Sequence, residues 1–267
     1  MGVQERNNVQ VFGSGPTTMV FAHGFGCDQH MWRLLAPVFA QRFRVIAFDL
    51  VGSGKSDLAA YDLDKYSSLQ GHADDVLEII DEFAGGPVIF VGHSVSAMIG
   101  MLADLKAPQR FRAHVMIGPS PCYINDGDYV GGFARADIDS LLETMESNYL
   151  GWSSTMAPAI MGAPSQPELA VELTNSFCRT DPDIAKHFAR VTFLSDNRRD
   201  LTRLTTPTLV VQCSDDLIAP MNVGRYLQST LPACTLEVVE NVGHCPHLSA
   251  PGASADAMNR FLPTIGC

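Results

Sequence analysis

The segment that decides the fold is Val88-Ile89-Phe90-Val91-Gly92-His93-Ser94-Val95-Ser96. Its first four residues are an apolar run typical of a buried strand, and Ala97-Met98-Ile99-Gly100-Met101-Leu102-Ala103 after it predicts a helix. Ser94 therefore stands at a sharp turn between a strand and a helix. Such a turn needs small neighbours, here Gly92 and Ser96, and Ser96 replaces a more usual glycine. The turn would expose the Ser94 hydroxyl at the carboxyl end of a parallel strand.

A serine hydroxyl is a poor nucleophile near neutral pH, so it needs a histidine base and hydrogen-bond donors for the developing oxyanion. In this kind of fold the partners follow in the order serine, acid, histidine. The alternative interpretation is an ordinary glycine-containing turn between strand and helix. The motif alone leaves both open.

Candidate partners for Ser94 lie near the end of the chain. His244 follows the last predicted strand, and Gly243 before it suits a tight loop; His247 is the competing candidate. The acid should follow the penultimate strand, where Asp215 and Asp216 both qualify. We favour Asp216, because the apolar residues and the proline after it would pack its loop inward, and a buried carboxylate there would orient the imidazole.

The oxyanion donors are expected to be backbone N–H groups, one after the nucleophile and one from a loop after an early strand. These are Val95 and Phe25, the latter within His23-Gly24-Phe25-Gly26. The segment from Asp49 to Ser56 looks like a phosphate-binding loop but lacks its Gly-x-x-x-x-Gly-Lys-Ser/Thr spacing. We interpret it as a turn between strand and helix.

Short β-branched runs alternate with helical stretches, which predicts a mostly parallel, doubly wound α/β sheet with its active site at the carboxyl ends of the strands. Residues Ser67 to Phe83 show helical spacing. The predicted strands are Thr18 to Ala22, Arg44 to Phe48, Val88 to Val91, Ala113 to Ile117, Thr208 to Gln212 and Leu236 to Val239.

The alternation stops after Ile117, and the next part of the chain predicts several short helices rich in methionine and aromatic residues. Strands resume near Pro207. We therefore predict a core formed by residues 1–121 and 191–267, with residues 122–190 inserted as a helical lid over the active-site edge.

Composition excludes several classes of protein. Of the 267 residues, 46% are hydrophobic and 18% are charged, which is typical of a globular chain. A formal net charge of -11 argues against a nucleic-acid partner. No apolar run approaches the about 20 residues that cross a bilayer, so no membrane association is expected. The polar N-terminus lacks an export signal and predicts a cytoplasmic location.

The seven cysteines are an odd number without paired spacing, as expected of reduced thiols, so no disulfide is predicted. His244-Cys245-Pro246-His247 suggests a metal site only superficially, because the chain has no Cys-x-x-Cys or His-Glu-x-x-His partner motif. We expect neither a metal nor another cofactor.

The chain resembles the α/β-hydrolases, and within them the branch that contains the bacterial stress-response regulator RsbQ and the plant karrikin and strigolactone receptors. RsbQ looks most similar. The resemblance runs over essentially the whole chain. The segments that carry it are His23–Gly26, Gly92–Ser96, Pro119–Tyr123, Asp128–Phe133, Asn148–Trp152 and Ser176–Pro182.

The resemblance implies a four-helix, V-shaped lid over a small apolar pocket. It also implies Ser94 as nucleophile, Asp216 as acid and His244 as base, with the Phe25 and Val95 amides as the oxyanion hole. Pocket-lining residues by resemblance are Phe25, Tyr123, Phe133, Met156 and Phe193. Met156 stands where the plant receptors commonly have phenylalanine, so the shape of the pocket can differ.

Two functions from different classes follow. The first is a serine hydrolase that cleaves small hydrophobic esters or butenolide-like lactones through an acyl-enzyme. The second is a ligand-sensing regulator whose lid engages a partner, by resemblance a PAS-domain phosphatase. The sharp turn that carries Ser94 is hereafter called the elbow. Serine at the elbow excludes the enzymes of this fold that have aspartate there. Carbon–carbon bond hydrolysis, acyl transfer and an inert scaffold remain open.

Overall fold

The computed structural model describes residues 2–267 and contains one seven-stranded sheet. The strands lie in the order β1-β3-β2-β4-β5-β6-β7, and all pairs are parallel except β1 with β3. This confirms the predicted mostly parallel sheet. The strands are β1 Gln10–Phe12, β2 Thr18–Ala22, β3 Arg44–Phe48, β4 Val88–His93, β5 Phe111–Ile117, β6 Thr208–Asp215 and β7 Cys234–Val242.

The six predicted strands are present, and β2 and β3 have the predicted bounds. The other four extend further than predicted, because polar residues such as His93 and Asp215 continue the ladder beyond the apolar run. The short strand β1 was not predicted. Its side chains are exposed, with Val11 at 38% and Phe12 at 37%, so it carries no burial pattern.

Two apolar layers cover the two faces of the sheet. Val20 and Phe90 face one layer, which packs on two long helices, α3 and α4, whereas their neighbours Phe21 and Val91 face the other layer. The helices are α1 Val3–Arg6, α2 Ala36–Phe39, α3 Leu69–Phe83, α4 Val95–Lys106, α5 Arg135–Ser147, α6 Tyr149–Met161, α7 Pro167–Arg179, α8 Pro182–Phe193, α9 Met221–Thr230, α10 Pro246–Ser249 and α11 Pro251–Phe261.

Helices α5 to α8, hereafter the helical segment, lie between β5 and β6 in the chain. They form an apolar cluster of their own, which also contains Cys27, Ile218 and Cys245. These three residues belong to the loops after β2, β6 and β7. The helical segment therefore packs over the carboxyl ends of the strands. Between residues 2 and 267, no helix combines the length and apolarity required to cross a membrane.

Candidate active site

Ser94 lies at the turn between β4 and α4 in a strained backbone conformation, with φ 55° and ψ -123°. Such a conformation costs about 1–3 kcal/mol in a non-glycine residue. Its amide donates a hydrogen bond of 2.8 Å to the Ile117 carbonyl on the neighbouring strand. A Cβ atom at Gly92 would lie 2.6 Å from the Ser96 carbonyl oxygen, so only glycine fits there. The turn thus fixes the Ser94 hydroxyl at the sheet edge.

A chain of hydrogen bonds joins the three side chains selected from the sequence. Ser94 Oγ lies 2.9 Å from His244 Nε2, and His244 Nδ1 lies 2.8 Å from Asp216 Oδ2. An ionised carboxylate can only accept, so Nδ1 carries the proton and Nε2 accepts from the Ser94 hydroxyl. All three residues are buried.

The loop after β6 holds the Asp216 carboxylate in place. Its other oxygen, Oδ1, accepts from the amides of Ile218 at 2.8 Å and Ala219 at 3.1 Å. These two hydrogen bonds fix the orientation of the carboxylate toward His244.

The competing candidates lie elsewhere. His247 is fully buried, and its ring packs on Trp32 at 4.7 Å between centroids. In the described part of the chain, residues 2–267, neither of its ring nitrogens has a hydrogen-bond partner. The Asp215 side chain is exposed at the end of β6. Neither side chain is hydrogen-bonded to Ser94 or His244.

The loop that carries His244 is anchored on the helical segment. The His244 amide donates to the Ile160 carbonyl at 2.8 Å, near the end of α6. Gly243 has φ +112°, and a Cβ atom there would lie only 1.9 Å from the Met161 carbonyl oxygen. The close approach therefore requires glycine, and the position of His244 depends on α6.

The two backbone amides predicted to form the oxyanion hole, those of Val95 and Phe25, are not among the hydrogen-bond donors of loops and turns in residues 2–267. Val95 is the first residue of α4, where an amide has no partner within the helix. Within residues 2–267, the Phe25 amide donates no loop or side-chain hydrogen bond. Ser96 Oγ donates to the His23 carbonyl and ties the elbow to the loop that contains Phe25.

A cavity of about 30 Å³ adjoins Ser94 and His244. Three of the predicted lining residues, Phe25, Tyr123 and Phe193, lie on its wall. The other residues of the wall are Cys27, His93, Ile160, Leu173, Phe177, Thr192, Ile218 and Cys245.

Phe133 and Met156, predicted to line the pocket, are placed elsewhere. They line an open groove of about 600 Å³ on the helical segment, together with Trp152. The Trp152 ring also packs on Phe25 at 6.3 Å and on Phe177 at 5.7 Å between centroids. Since Phe25 and Phe177 line the cavity, Trp152 separates it from the groove.

A family model described as the alpha/beta hydrolase family matches residues 19–257. The chain is an α/β hydrolase. A karrikin insensitive 2 receptor of Petunia hybrida is 40% identical over 97% of this chain and 97% of its own. Strigolactone esterase D14 of Arabidopsis thaliana is 38% identical over 98% of both chains. The structure of a hydrolase from Oleispira antarctica has a TM-score of 0.95 and 44% identity, and covers 98% of this chain and 96% of its own. The predicted fold class is confirmed.

Several wall residues of this hydrolase were not singled out as pocket residues from the sequence. Leu173 and Phe177 lie one helical turn apart on α7, and this spacing is the signal that could have identified them as one face. Cys27 and Cys245 come from loops after β2 and β7, whose conformation no periodicity predicts.

The two thiols on the wall stay neutral. Burial raises the pKa of Cys27 and of Cys245 far above the ordinary value. Because the thiolate is the nucleophilic form, these two cysteines are poor nucleophiles near neutral pH.

One group of buried side chains in the hydrolase, within residues 2–267, could hold a metal ion. It consists of His93, Cys245 and His247, whose ligand atoms lie within 4.8 Å of one another. The sequence argument against a metal did not include His93, which the fold brings to the other two. However, His93 Nε2 is already 2.9 Å from the His244 carbonyl oxygen, so coordination by that nitrogen would break a contact that positions His244.

The buried histidines make the stability of the hydrolase depend on pH. Burial lowers the pKa of His72 and of His247 to about 3, and that of His93 well below the ordinary value. Below about pH 6.5 the unfolded chain binds these protons and the native state does not, so stability falls as pH falls. Each histidine contributes about 1.4 kcal/mol per pH unit in that window.

We expect the free energy of unfolding, measured with urea, to be lower at pH 5 than at pH 7. In His247→Phe the decrease should be smaller by about 1.4 kcal/mol per pH unit, because one proton fewer is taken up on unfolding. If wild type and variant had the same pH dependence, His247 would not be neutral in the native protein.

Replacing Ser96 with alanine is expected to lower the free energy of unfolding by about 1–3 kcal/mol, because the buried His23 carbonyl loses its hydrogen-bond donor. The matched control is Ser229→Ala, which removes an exposed hydroxyl bonded to the Tyr226 carbonyl and should change stability by less than about 0.5 kcal/mol. Urea unfolding of both variants measures the difference. Equal effects would show that the link between elbow and loop adds no stability.

Proposed function

We propose that this hydrolase cleaves small hydrophobic esters or lactones, with Ser94 as nucleophile, His244 as general base and acid, and Asp216 as the group that orients His244. The observation that carries the proposal is the hydrogen-bond chain from Ser94 through His244 to Asp216, with distances of 2.9 and 2.8 Å, beside a cavity. The relatives named as an esterase and as a hydrolase support it.

In the first half of the reaction, Ser94 Oγ attacks the carbonyl carbon and its proton passes to His244 Nε2. The Asp216 carboxylate stabilises the imidazolium without taking the proton. The carbonyl oxygen becomes an oxyanion that accepts hydrogen bonds from the amides of Phe25 and Val95. The tetrahedral intermediate collapses, the carbon–oxygen bond breaks, and the leaving alkoxide takes the proton from His244.

In the second half, His244 removes a proton from a water molecule, which attacks the acyl carbon on Ser94. Collapse of the second intermediate returns the proton to Ser94 Oγ and releases the acid. With a lactone, the alcohol and the acid remain in one molecule, so both leave as a single hydroxy acid.

The cavity restricts the size and polarity of the substrate. Its volume of about 30 Å³ and its rings, Phe25, Phe177 and Phe193, suit a small and mainly apolar group. The name of the strigolactone esterase relative supports a lactone among the substrates. Larger esters would require the helical segment, which overlaps the predicted lid of residues 122–190, to move.

A second candidate function is ligand sensing, and the attachment of the His244 loop to α6 favours it. The His244 amide donates to the Ile160 carbonyl, and the Ala163 amide donates to the Val242 carbonyl at 3.0 Å. Because of these two hydrogen bonds, a ligand that shifts the His244 loop would also shift the helical segment. A regulator of this kind, like RsbQ, would act in the cytoplasm, with a PAS-domain phosphatase as partner. The receptor relative of Petunia hybrida supports this candidate.

Both functions are tested by kcat/KM values for short-chain p-nitrophenyl esters and butenolide lactones, recorded with the tryptophan fluorescence of the protein. The chain has 2 tryptophans, and Trp152 packs on Phe25 of the cavity wall. Comparison with Trp152→Phe therefore shows how much of the fluorescence change comes from Trp152. Fast, selective hydrolysis favours a metabolic enzyme. Slow hydrolysis with a Trp152 signal on ligand binding favours a sensor, and no hydrolysis of any compound would contradict the proposed chemistry.

A further inference from the structure

The cavity wall contains a buried hydroxyl group without a partner. Thr192 lies on α8, is 1% exposed and lines the cavity beside Ser94. Its Oγ1 atom has no hydrogen-bond partner among residues 2–267. Leaving a buried hydroxyl unpaired is unfavourable, so this group is the feature of the wall that calls for an explanation.

Other threonines of the helical segment do not share this property. Thr144, Thr155 and Thr174 each donate to the backbone carbonyl four residues earlier, at 2.8, 3.1 and 2.8 Å. This is the usual way in which a helix satisfies a threonine hydroxyl. Thr192 is also within a helix and lines the cavity, but its hydroxyl does not make this bond.

Of the other polar groups of the wall, His93 Nδ1 is also without a hydrogen-bond partner among residues 2–267, and Tyr123 carries a hydroxyl near Ser94. The remaining polar groups are engaged or bind weakly. Ser94 and His244 are bonded to each other, and His93 Nε2 is paired with the His244 carbonyl. The thiols of Cys27 and Cys245 are neutral and are weak hydrogen-bond donors. Among the wall residues that the helical segment contributes, Thr192 alone is polar, and its hydroxyl is without a partner.

We infer that Thr192 binds a second oxygen atom of the ligand, so that the preferred compounds are small esters or lactones with an ether, hydroxyl or carbonyl oxygen besides the scissile group. The inference rests on the proposed function and makes it more specific. The other wall residues from the helical segment, Ile160, Leu173, Phe177 and Phe193, are apolar, so none of them offers a ligand oxygen a competing hydrogen bond. Specificity of this kind arises because an analogue without the oxygen leaves the hydroxyl unpaired.

Isosteric ligands test the inference. δ-Valerolactone and 1,4-dioxan-2-one differ by one ring CH₂ replaced by oxygen, and p-nitrophenyl butanoate and methoxyacetate differ in the same way. For each pair, the ratio of kcat/KM for the oxygenated to the plain compound is compared between proteins, which cancels intrinsic reactivity. In Thr192→Val we expect this ratio to fall about three- to tenfold in at least one pair, as for loss of one neutral hydrogen bond.

Two control variants accompany the test. Thr192→Ser retains the hydroxyl and should retain the wild-type ratio. Thr174→Val removes a helical threonine hydroxyl that is bonded to the Ala170 carbonyl, and it should also retain the ratio. An unchanged ratio in Thr192→Val for both pairs would overturn the inference.

Binding separates this inference from the proposed function. The Kd values of the same compounds are measured with Ser94→Ala and with Ser94→Ala/Thr192→Val, where the chemistry of Ser94 is absent, and the same change in ratio is expected. If wild type does not hydrolyse the esters but the binding ratio changes, the proposed function fails and Thr192 still selects the ligand. If hydrolysis occurs and neither ratio changes, the inference fails alone.

The melting temperature of the ligand-free protein gives an independent readout. Because Thr192→Val removes an unpaired buried hydroxyl and keeps its shape, Tm should rise. A fall in Tm would show that the hydroxyl already has a partner within the protein, and this would overturn the inference.

Discussion

Ser94→Ala is expected to lower kcat for a short-chain p-nitrophenyl ester by about 10⁴-fold or more, as in other serine hydrolases that lose their nucleophile. The reason is geometric. Ser94 Oγ is the hydroxyl that is hydrogen-bonded to His244, and the two cysteines on the cavity wall are held as neutral thiols. Steady-state hydrolysis by purified wild type and variant measures the loss.

As a control, the fold and thermal stability of Ser94→Ala are compared with those of wild type. Alanine retains the Cβ atom and the backbone conformation of φ 55°, so circular dichroism and Tm should stay close to wild type. A variant that is folded and as active as wild type would show that Ser94 is not the nucleophile.

Asp216→Asn is expected to lower kcat by about 10⁴-fold with little change in structure, because an amide next to His244 favours the wrong imidazole tautomer. The Asp216 carboxylate is buried and accepts from His244 Nδ1 at 2.8 Å. In the variant the proton is expected on Nε2, which then cannot accept from Ser94.

The neighbouring aspartate provides a matched control for Asp216→Asn. Asp215→Asn makes the same chemical change one residue earlier, at an exposed side chain, and should change kcat less than about twofold. Equal losses in the two variants would mean that the net charge of this loop matters for turnover, and not the hydrogen bond to His244.

The parts of the fold that could be predicted from the sequence are those with a strong local signal. Buried parallel strands are continuous apolar runs, so β2 and β3 were predicted with their bounds, whereas the exposed edge strand β1 has no such run. Ser94, Asp216 and His244 could be selected because each follows a strand in the required order, and the structure brings their side chains together.

The cavity wall could be predicted only in part, because helical periodicity shows which face of a helix is apolar but not what that face covers. Phe133 and Met156 lie on the groove side of Trp152, whereas Tyr123 and Phe193 lie on the cavity side. Thr192 gave no signal in the sequence. Its proposed role in ligand binding depends on a missing hydrogen bond, and hydrogen bonding is a property of the three-dimensional structure.

The most direct test of the proposed mechanism is the intact-protein mass during turnover of a slowly hydrolysed ester. If Ser94 forms an acyl-enzyme, wild type should show a transient increase equal to the acyl group minus one hydrogen, located by peptide mapping to Ser94 and absent in Ser94→Ala. Turnover with the acyl group on another residue, or with the same adduct in Ser94→Ala, would contradict the mechanism.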